Sequence, residues 1–371
     1  MKMKLYFAFV FLLISALSYP QQKLPDWALG PFIRPKGVNP IILPDSTSFF
    51  NDPMSGKRVA WESNDVFNPA AVVKDGKIFV LYRSEDKSGI AIGHRTSRLG
   101  LAESADGIVM KRNRTPVFYP ADDNQKEFEW PGGCEDPRVA VTEDGTFVML
   151  YTQWNKKVPR LGVATSKDLK TWTKHGPAFY KAYNGKFRDL ASKSASVVTK
   201  LVNNKQVIAK VNGKYMMYWG EHFMNIATST DLKNWEPMID ESGNLKRALE
   251  TRPGFFDSDL TECGPPALIT AKGILVLYNG KNKGGAGRDT AYTANTYAAG
   301  QVLFDLKDPN KVISRLDKPF FVPTESFEKS GQYPAGTVFV EGLVFHNGKW
   351  FLYYGCADSR VAVAVYDPAK N

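Results

Sequence analysis

Short apolar stretches alternate along this chain with tight polar turns, and one arrangement recurs: an apolar strand, a glycine-containing turn, then a second strand rich in aromatics. It occurs five times. Ala70-Ala71-Val72-Val73 leads through Asp75-Gly76 to 78–82, and Val139-Ala140-Val141 leads through Asp144-Gly145 to 147–151. A third copy lies around Asn212-Gly213 and 215–219; the fourth joins 267–270 through Lys272-Gly273 to 274–278, and the fifth joins 343–345 through Asn347-Gly348 to 350–354. Asn-Gly and Asp-Gly supply the positive φ angles that primed turns need, so the pattern predicts antiparallel hairpins. The turn glycines are spaced by 69, 68, 60 and 75 residues, about the length of a four-stranded propeller blade with its loops. The expected fold is all-β, a single five-bladed β-propeller. A two-sheet sandwich is the alternative, but sandwiches do not usually repeat a hairpin at so long a period.

A second motif repeats inside these units. Ala164-Thr165-Ser166-Lys167-Asp168-Leu169 with Trp172 matches Ala227-Thr228-Ser229-Thr230-Asp231-Leu232 with Trp235, and Ala102 to Gly107 is a looser copy. Its serines and aspartates read as turn formers and its tryptophans as packing at a blade edge.

Composition narrows the chemistry. The chain has 371 residues, 43% hydrophobic and 23% charged, and its four histidines and three cysteines are widely scattered. No spacing suits a zinc site or a redox pair, so no metal or cofactor is expected and catalysis has to rest on carboxylates. Met1 to Lys4 followed by the apolar run 5–17 and small residues Ala16 and Ser18 has the parts of a secretory signal. The expected organisation is a signal over 1–18, a lead-in over 19–60 and the propeller over 61–371, in a periplasmic or secreted protein with no membrane insertion after signal removal and no lipid-attachment cysteine. Loss of Lys2 and Lys4 lowers the formal charge from +10 to +8, and the remaining basic residues form no runs, which argues against nucleic acid as a partner.

In a hairpin, residues before the first strand and after the second share one end. That places Asn68, Glu135, Asp136, Arg138 and Glu262 with Arg83, Gln153, Glu221, Asn279 and Asp358 at one mouth of the ring, where propellers usually bind ligands. Singly, each has a bland reading. Asn68 and Asp136 precede prolines and could be turn formers, Arg83 could pair with Glu85 or Asp86, and Glu262 could belong to an acidic loop. Together, carboxylates converging from different units suit inverting glycoside hydrolysis, which needs an acid and a base roughly 6.5–9.5 Å apart.

The segments Phe67-Asn68-Pro69-Ala70, Leu81-Tyr82-Arg83, Gly132-Gly133-Cys134-Glu135-Asp136-Pro137-Arg138, Gly264-Pro265-Pro266 and Tyr353-Tyr354-Gly355-Cys356-Ala357-Asp358 resemble glycoside hydrolase family 130, the β-mannoside phosphorylases and β-mannosidases. The resemblance implies a five-bladed propeller acting on β-mannoside oligosaccharides or glycans. It implies Asp136 as the acid, working through a hydroxyl of the bound mannose, and Asn68, Arg83 and Asp358 as groups holding that mannose; Arg138 and Tyr278 join them as substrate-binding candidates. Phosphorylases of the family carry a histidine in a Tyr-His-Gly segment, where this chain has Tyr278-Asn279-Gly280, and Glu221 and Glu262 stand near the position of phosphate. The hydrolytic branch uses such a glutamate pair to activate water.

The leading expectation is therefore an exported, inverting β-mannosidase, β-1,2-linked mannosides being its substrates, with Glu135 or Asp358 raising the pKa of Asp136 by like-charge repulsion. A phosphorylase holding phosphate with Arg138 or Lys281 is the alternative, and a non-catalytic glycan-binding propeller is a third.

Overall fold

A computed structural model describes residues 23–370; the expected signal at 1–18 lies outside them. Among the described residues the regular structure is almost entirely β, with one four-residue helix, Lys126–Glu129, and three short 3-10 turns. Each hairpin predicted from the sequence is present. Asp65–Lys74 pairs with Lys77–Glu85, Gly133–Val141 with Phe147–Trp154, Ala195–Val202 with Lys214–Trp219, Ala267–Thr270 with Gly273–Lys281, and Val338–His346 with Lys349–Cys356. A third antiparallel strand follows in every unit, for example Ser97–Ser104 and Arg360–Tyr366. Three turns have positive φ at both central residues, as a primed turn requires: Asp75-Gly76, Asn212-Gly213 and Asn347-Gly348. At Asp144-Gly145 and Lys272-Gly273 only the glycine does. The third unit departs from the pattern, because Lys205–Ile208 is inserted and pairs back on Ala195–Val202.

The apolar faces of these sheets are buried between units. Among the described residues, Leu81 and Leu99 of the first unit share a cluster with Met149 and Tyr151 of the second. Leu150 and Val163 of the second pack with Met217 and Trp219 of the third. The series continues from Tyr218 to Val276, and from Leu277 to Leu352. A last cluster brings Tyr353 and Val363 of the final unit onto Val80 and Tyr82 of the first. The sheets are curled and propeller-like, and each buried aliphatic or aromatic side chain contributes about 1.5–3 kcal/mol. The preceding segment covers the outer edge of the final unit, with Ile33 paired to Val365 and Ile42 to Val361.

Inside this repeat a polar arrangement is built four times. A tyrosine near the end of the second strand donates its hydroxyl to a buried carboxylate that also meets a cation. Tyr82 binds Glu62 at 2.8 Å and Arg112 lies 3.3 Å from that glutamate; Tyr151 binds Glu129 at 2.7 Å, with Lys174 alongside. Tyr278 binds Asp257 at 2.6 Å beside Arg315 and Arg252, and Tyr354 binds Glu328 at 2.8 Å beside Arg34. The ring lies flat on the next strand. A Cβ added at Gly100 or Gly300 would stand 2.3 or 2.4 Å from the tyrosine opposite, so glycine is required there. The Ser-Asp repeats are turn formers, as expected: Ser166 accepts from the Leu169 amide and Asp168 from those of Lys170 and Thr171, and Ser229 with Asp231 repeats the pattern.

Candidate active site

Two interruptions of strand register build one side of the site. The ladder slips between Phe67 and Pro69 and again between Glu135 and Arg138, which lifts Asn68 and Asp136 out of their strands. Both sit at positive φ, +47° and +46°, and both precede a proline, whose ring disfavours the right-handed region for the residue before it. Asn68 Nδ2 donates to Asp136 Oδ1 at 2.9 Å, and Arg83 donates to the same oxygen at 3.0 Å. Arg83 also binds Glu135 at 2.8 Å, Glu85 at 2.7 Å and Ser97 at 3.1 Å. Its pairing with Glu85 is thus a buried one, at the centre of the site.

The other side comes from the third and fourth units. Glu221 follows the strand Lys214–Trp219, and Glu262 lies in Leu260–Cys263. Backbone bonds stitch three segments together here: the Gly220 amide reaches the carbonyls of Lys193 and Ser194, and the Cys263 amide reaches that of Gly220. Ser194 donates its hydroxyl to Glu262. Lys193 occupies the space between the two sides. Its Nζ is 3.7 Å from Asp136 Oδ2, 3.7 Å from Glu221 Oε1 and 4.0 Å from Glu262 Oε1. Lys193 was not legible in the sequence, because it lies in an irregular stretch before Ala195 that belongs to no repeat.

Burial pushes the Glu262 carboxyl up to about 7, against the pull of Lys193. Glu135 is likewise raised to about 7, first by burial, with Asp136 adding to the effect. Asp358, fixed through its carbonyl by Gln332, is raised to about 7 by burial despite Arg83. Asp136 moves the other way. Burial works to raise it, but Arg83, Lys193 and Arg138 together with the Asn68 hydrogen bond outweigh burial and hold the carboxyl well below its usual range. The expectation that its neighbours raise Asp136 is therefore overturned: the cations around it win, and the neighbours carry the raised values.

Asn68, Arg83, Asp136, Glu221, Glu262 and Asp358 lie together; the side chains of two other candidates are engaged elsewhere. Tyr278 is fully buried and belongs to the tyrosine and carboxylate series, its hydroxyl spent on Asp257. Arg138 is 2% exposed and its guanidinium is turned onto the carbonyls of Asp136, Cys263 and Gly264 and onto Glu341. Gln153 binds Gln125 and Glu129, away from the mouth, and Asn279 is tied to the Val340 backbone. Among the described residues, no group of three or more His, Cys, Asp or Glu is arranged to hold a metal, and no helix is long and apolar enough to cross a membrane.

A family model, Glyco_hydro_130, described as β-1,4-mannooligosaccharide phosphorylase, matches residues 45–370. A 1,2-β-oligomannan phosphorylase of Thermoanaerobacter sp. (strain X514) is 32% identical over 311 residues, 83% of this chain and 91% of that protein. A solved glycosyl hydrolase from Bacteroides ovatus is 62% identical, with a TM-score of 0.92 over 95% of this chain and 98% of that one. Another solved structure, 62% identical with a TM-score of 0.93 over 94% and 97% of the two chains, comes from work on glycoside hydrolases in a family of mannoside phosphorylases that target β-1,2 mannosidic linkages in Candida mannan.

Proposed function

The chain belongs to glycoside hydrolase family 130, and from that premise we propose that it hydrolyses β-mannosides, β-1,2-linked ones foremost, with inversion at the anomeric carbon. The observation that carries this reading is the gathering of Asp136, Glu221 and Glu262 around one ammonium, that of Lys193. A phosphorylase must seat a phosphate dianion where a hydrolase seats water. Two carboxylates there oppose the dianion by several kcal/mol in a water-poor pocket. The other cations near the site are already engaged: Lys281 pairs with Asp259 at 3.1 Å, and Arg138 is spent on carbonyls and Glu341.

In this reading Glu221 and Glu262 take the proton of a water that attacks the anomeric carbon, while Asp136 supplies one to the leaving oxygen through a hydroxyl of the bound mannose. Asp136 is ionised in the free enzyme, so its proton arrives with the substrate, from Glu135 or Asp358 beside it. Lys193 lies 3.7 Å from both Asp136 Oδ2 and Glu221 Oε1, so these oxygens stand at most twice that distance apart. That ceiling reaches the lower part of the roughly 6.5–9.5 Å range of inverting carboxyl pairs and also admits the roughly 5–5.5 Å of retaining ones, so the reading rests on the water-activating pair and not on spacing. We read the five units as the five blades of a propeller over 61–371, preceded by a lead-in over 19–60, and residues 1–18 as a signal that makes the enzyme periplasmic or secreted. The five inter-unit cores support the blade count.

Incubating β-1,2-mannobiose with and without inorganic phosphate, followed by NMR, tests the reaction. Free mannose, first formed as the α anomer at a rate independent of phosphate, is expected; mannose 1-phosphate overturns hydrolysis in favour of the phosphorolysis that the Thermoanaerobacter relative's name describes.

A further inference from the structure

The inner strands slip register at a third place, between Val340 and Gly342, and the residue lifted out is Glu341. The same device builds Asn68 and Asp136 into the site, whereas Glu341, fully buried like them, plays no part in the chemistry described above. What it meets is Arg138, at 2.9 Å. From that anchored position the Arg138 guanidinium donates to the carbonyl of Asp136 itself at 3.0 Å, to that of Cys263 at 2.9 Å and, more loosely, to that of Gly264 at 3.4 Å. Cys263 is the residue after Glu262, and Ser196 adds a further bond to the Gly264 carbonyl at 3.1 Å.

We propose that Arg138 is a positioning residue: a planar strut, held by Glu341, that sets the separation between the backbone of the acid, Asp136, and the backbone of the base, Glu262. The assignment rests on the hydrolytic roles given above to those two carboxylates. A guanidinium suits the task because its N–H groups lie in one rigid plane and stay charged, so the three carbonyls are held in fixed relation while Glu341 anchors the charge through an ion pair and not a directed hydrogen bond. A lysine at the same place keeps the charge but can satisfy these directions only one at a time. Displacing a reacting group by about 1 Å can cost about 10²-fold in rate.

The experiment compares Arg138→Lys and the isosteric Glu341→Gln with the wild-type enzyme on β-1,2-mannobiose, recording kcat per folded enzyme, KM and thermal midpoint. Arg138→Lys is expected to lower kcat about 10–100-fold with KM within about three-fold of wild type and the protein folded at the assay temperature. Glu341→Gln is expected to lower kcat in the same sense by a few-fold, which keeps the test open if Arg138→Lys does not fold. A raised KM with kcat retained would return Arg138 to substrate binding and overturn the proposal. So would a kcat loss that only tracks the unfolded fraction, or wild-type kcat in both variants. Mannose 1-phosphate from the wild-type enzyme would instead refute the hydrolytic reading, and the two failures are read on different samples.

Discussion

Two groups of carboxylates, buried apart from the half-exposed Glu221, share this molecule, and they are treated in opposite ways. Glu62, Glu129, Asp257 and Glu328 each receive a tyrosine hydroxyl and at least one cation of their own. At the mouth of the ring, Glu221 and Glu262 meet the ammonium of Lys193 only at 3.7 and 4.0 Å, longer than a hydrogen bond, while Asp136, also 3.7 Å from it, is paired directly with Arg83 at 3.0 Å. Buried charge is tolerated when fully paired and is costly when it is not. The four repeated sites give each carboxylate a close cation where nothing has to happen, although Glu62 keeps one oxygen unpartnered and burial raises Glu62 and Glu129 as well. The mouth leaves Glu262 without a cation at hydrogen-bond distance, and its carboxyl is pushed up to about 7, where protons have to move.

Substitutions should divide along the same line, with rate lost only at the mouth. The largest effect is expected from Asp136→Asn, which keeps the shape and removes the proton donor: kcat on mannobiose should fall about 10²–10⁴-fold, and at neutral pH the thermal midpoint should fall as well, because Arg83 and Lys193 lose the anion that they hold ionised. Near-wild-type turnover would remove Asp136 from the chemistry. Glu262→Gln comes next, with kcat lower by about 10² and a changed pH profile. A base must be ionised, so wild-type activity should decline as pH falls through about 7, and that limb should vanish in the variant. Stability supplies the sign check. Because the folded-state pKa of Glu262 is raised, its contribution is full below its unfolded value of about 4.3 and is lost as pH rises through about 7. Urea titrations should therefore show Glu262→Gln gaining on wild type between pH 5 and pH 8. The smallest effect belongs to the paired class: Tyr278→Phe should cost about 1 kcal/mol, since Arg315 and Arg252 still serve Asp257, with kcat and KM unmoved. A rise in KM would restore Tyr278 to the substrate pocket.

The paired class also explains where reading the chain alone succeeds and stops. Hairpins, their turns and the shared mouth follow from local rules, since an Asp-Gly or Asn-Gly between apolar runs states its own geometry, and Asn68 and Asp136 announce themselves by the prolines behind them. Lys193 has no such marker. Its place depends on a backbone clip to Gly220 from an irregular stretch, a contact across units that no periodicity encodes. Tyr278 was misplaced because strand alternation gives two faces without saying which one meets a carboxylate; its three counterparts at Tyr82, Tyr151 and Tyr354 were the available signal. Glu341 lacks the following proline and so escaped notice, and the low pKa of Asp136 depends on cations from the first and second units and from the irregular stretch before Ala195.

The closing core has a consequence for how the chain is made. Arg34 meets Glu328 across 294 residues, and Tyr353 and Val363 of the final unit complete the cluster that holds Val80 and Tyr82. The first unit is thus fully enclosed only once the last is in place, and such distant pairing is slow. A lesion in the final strands would be felt first at the other end of the polypeptide, where the opening hairpin would be left with an unburied flank.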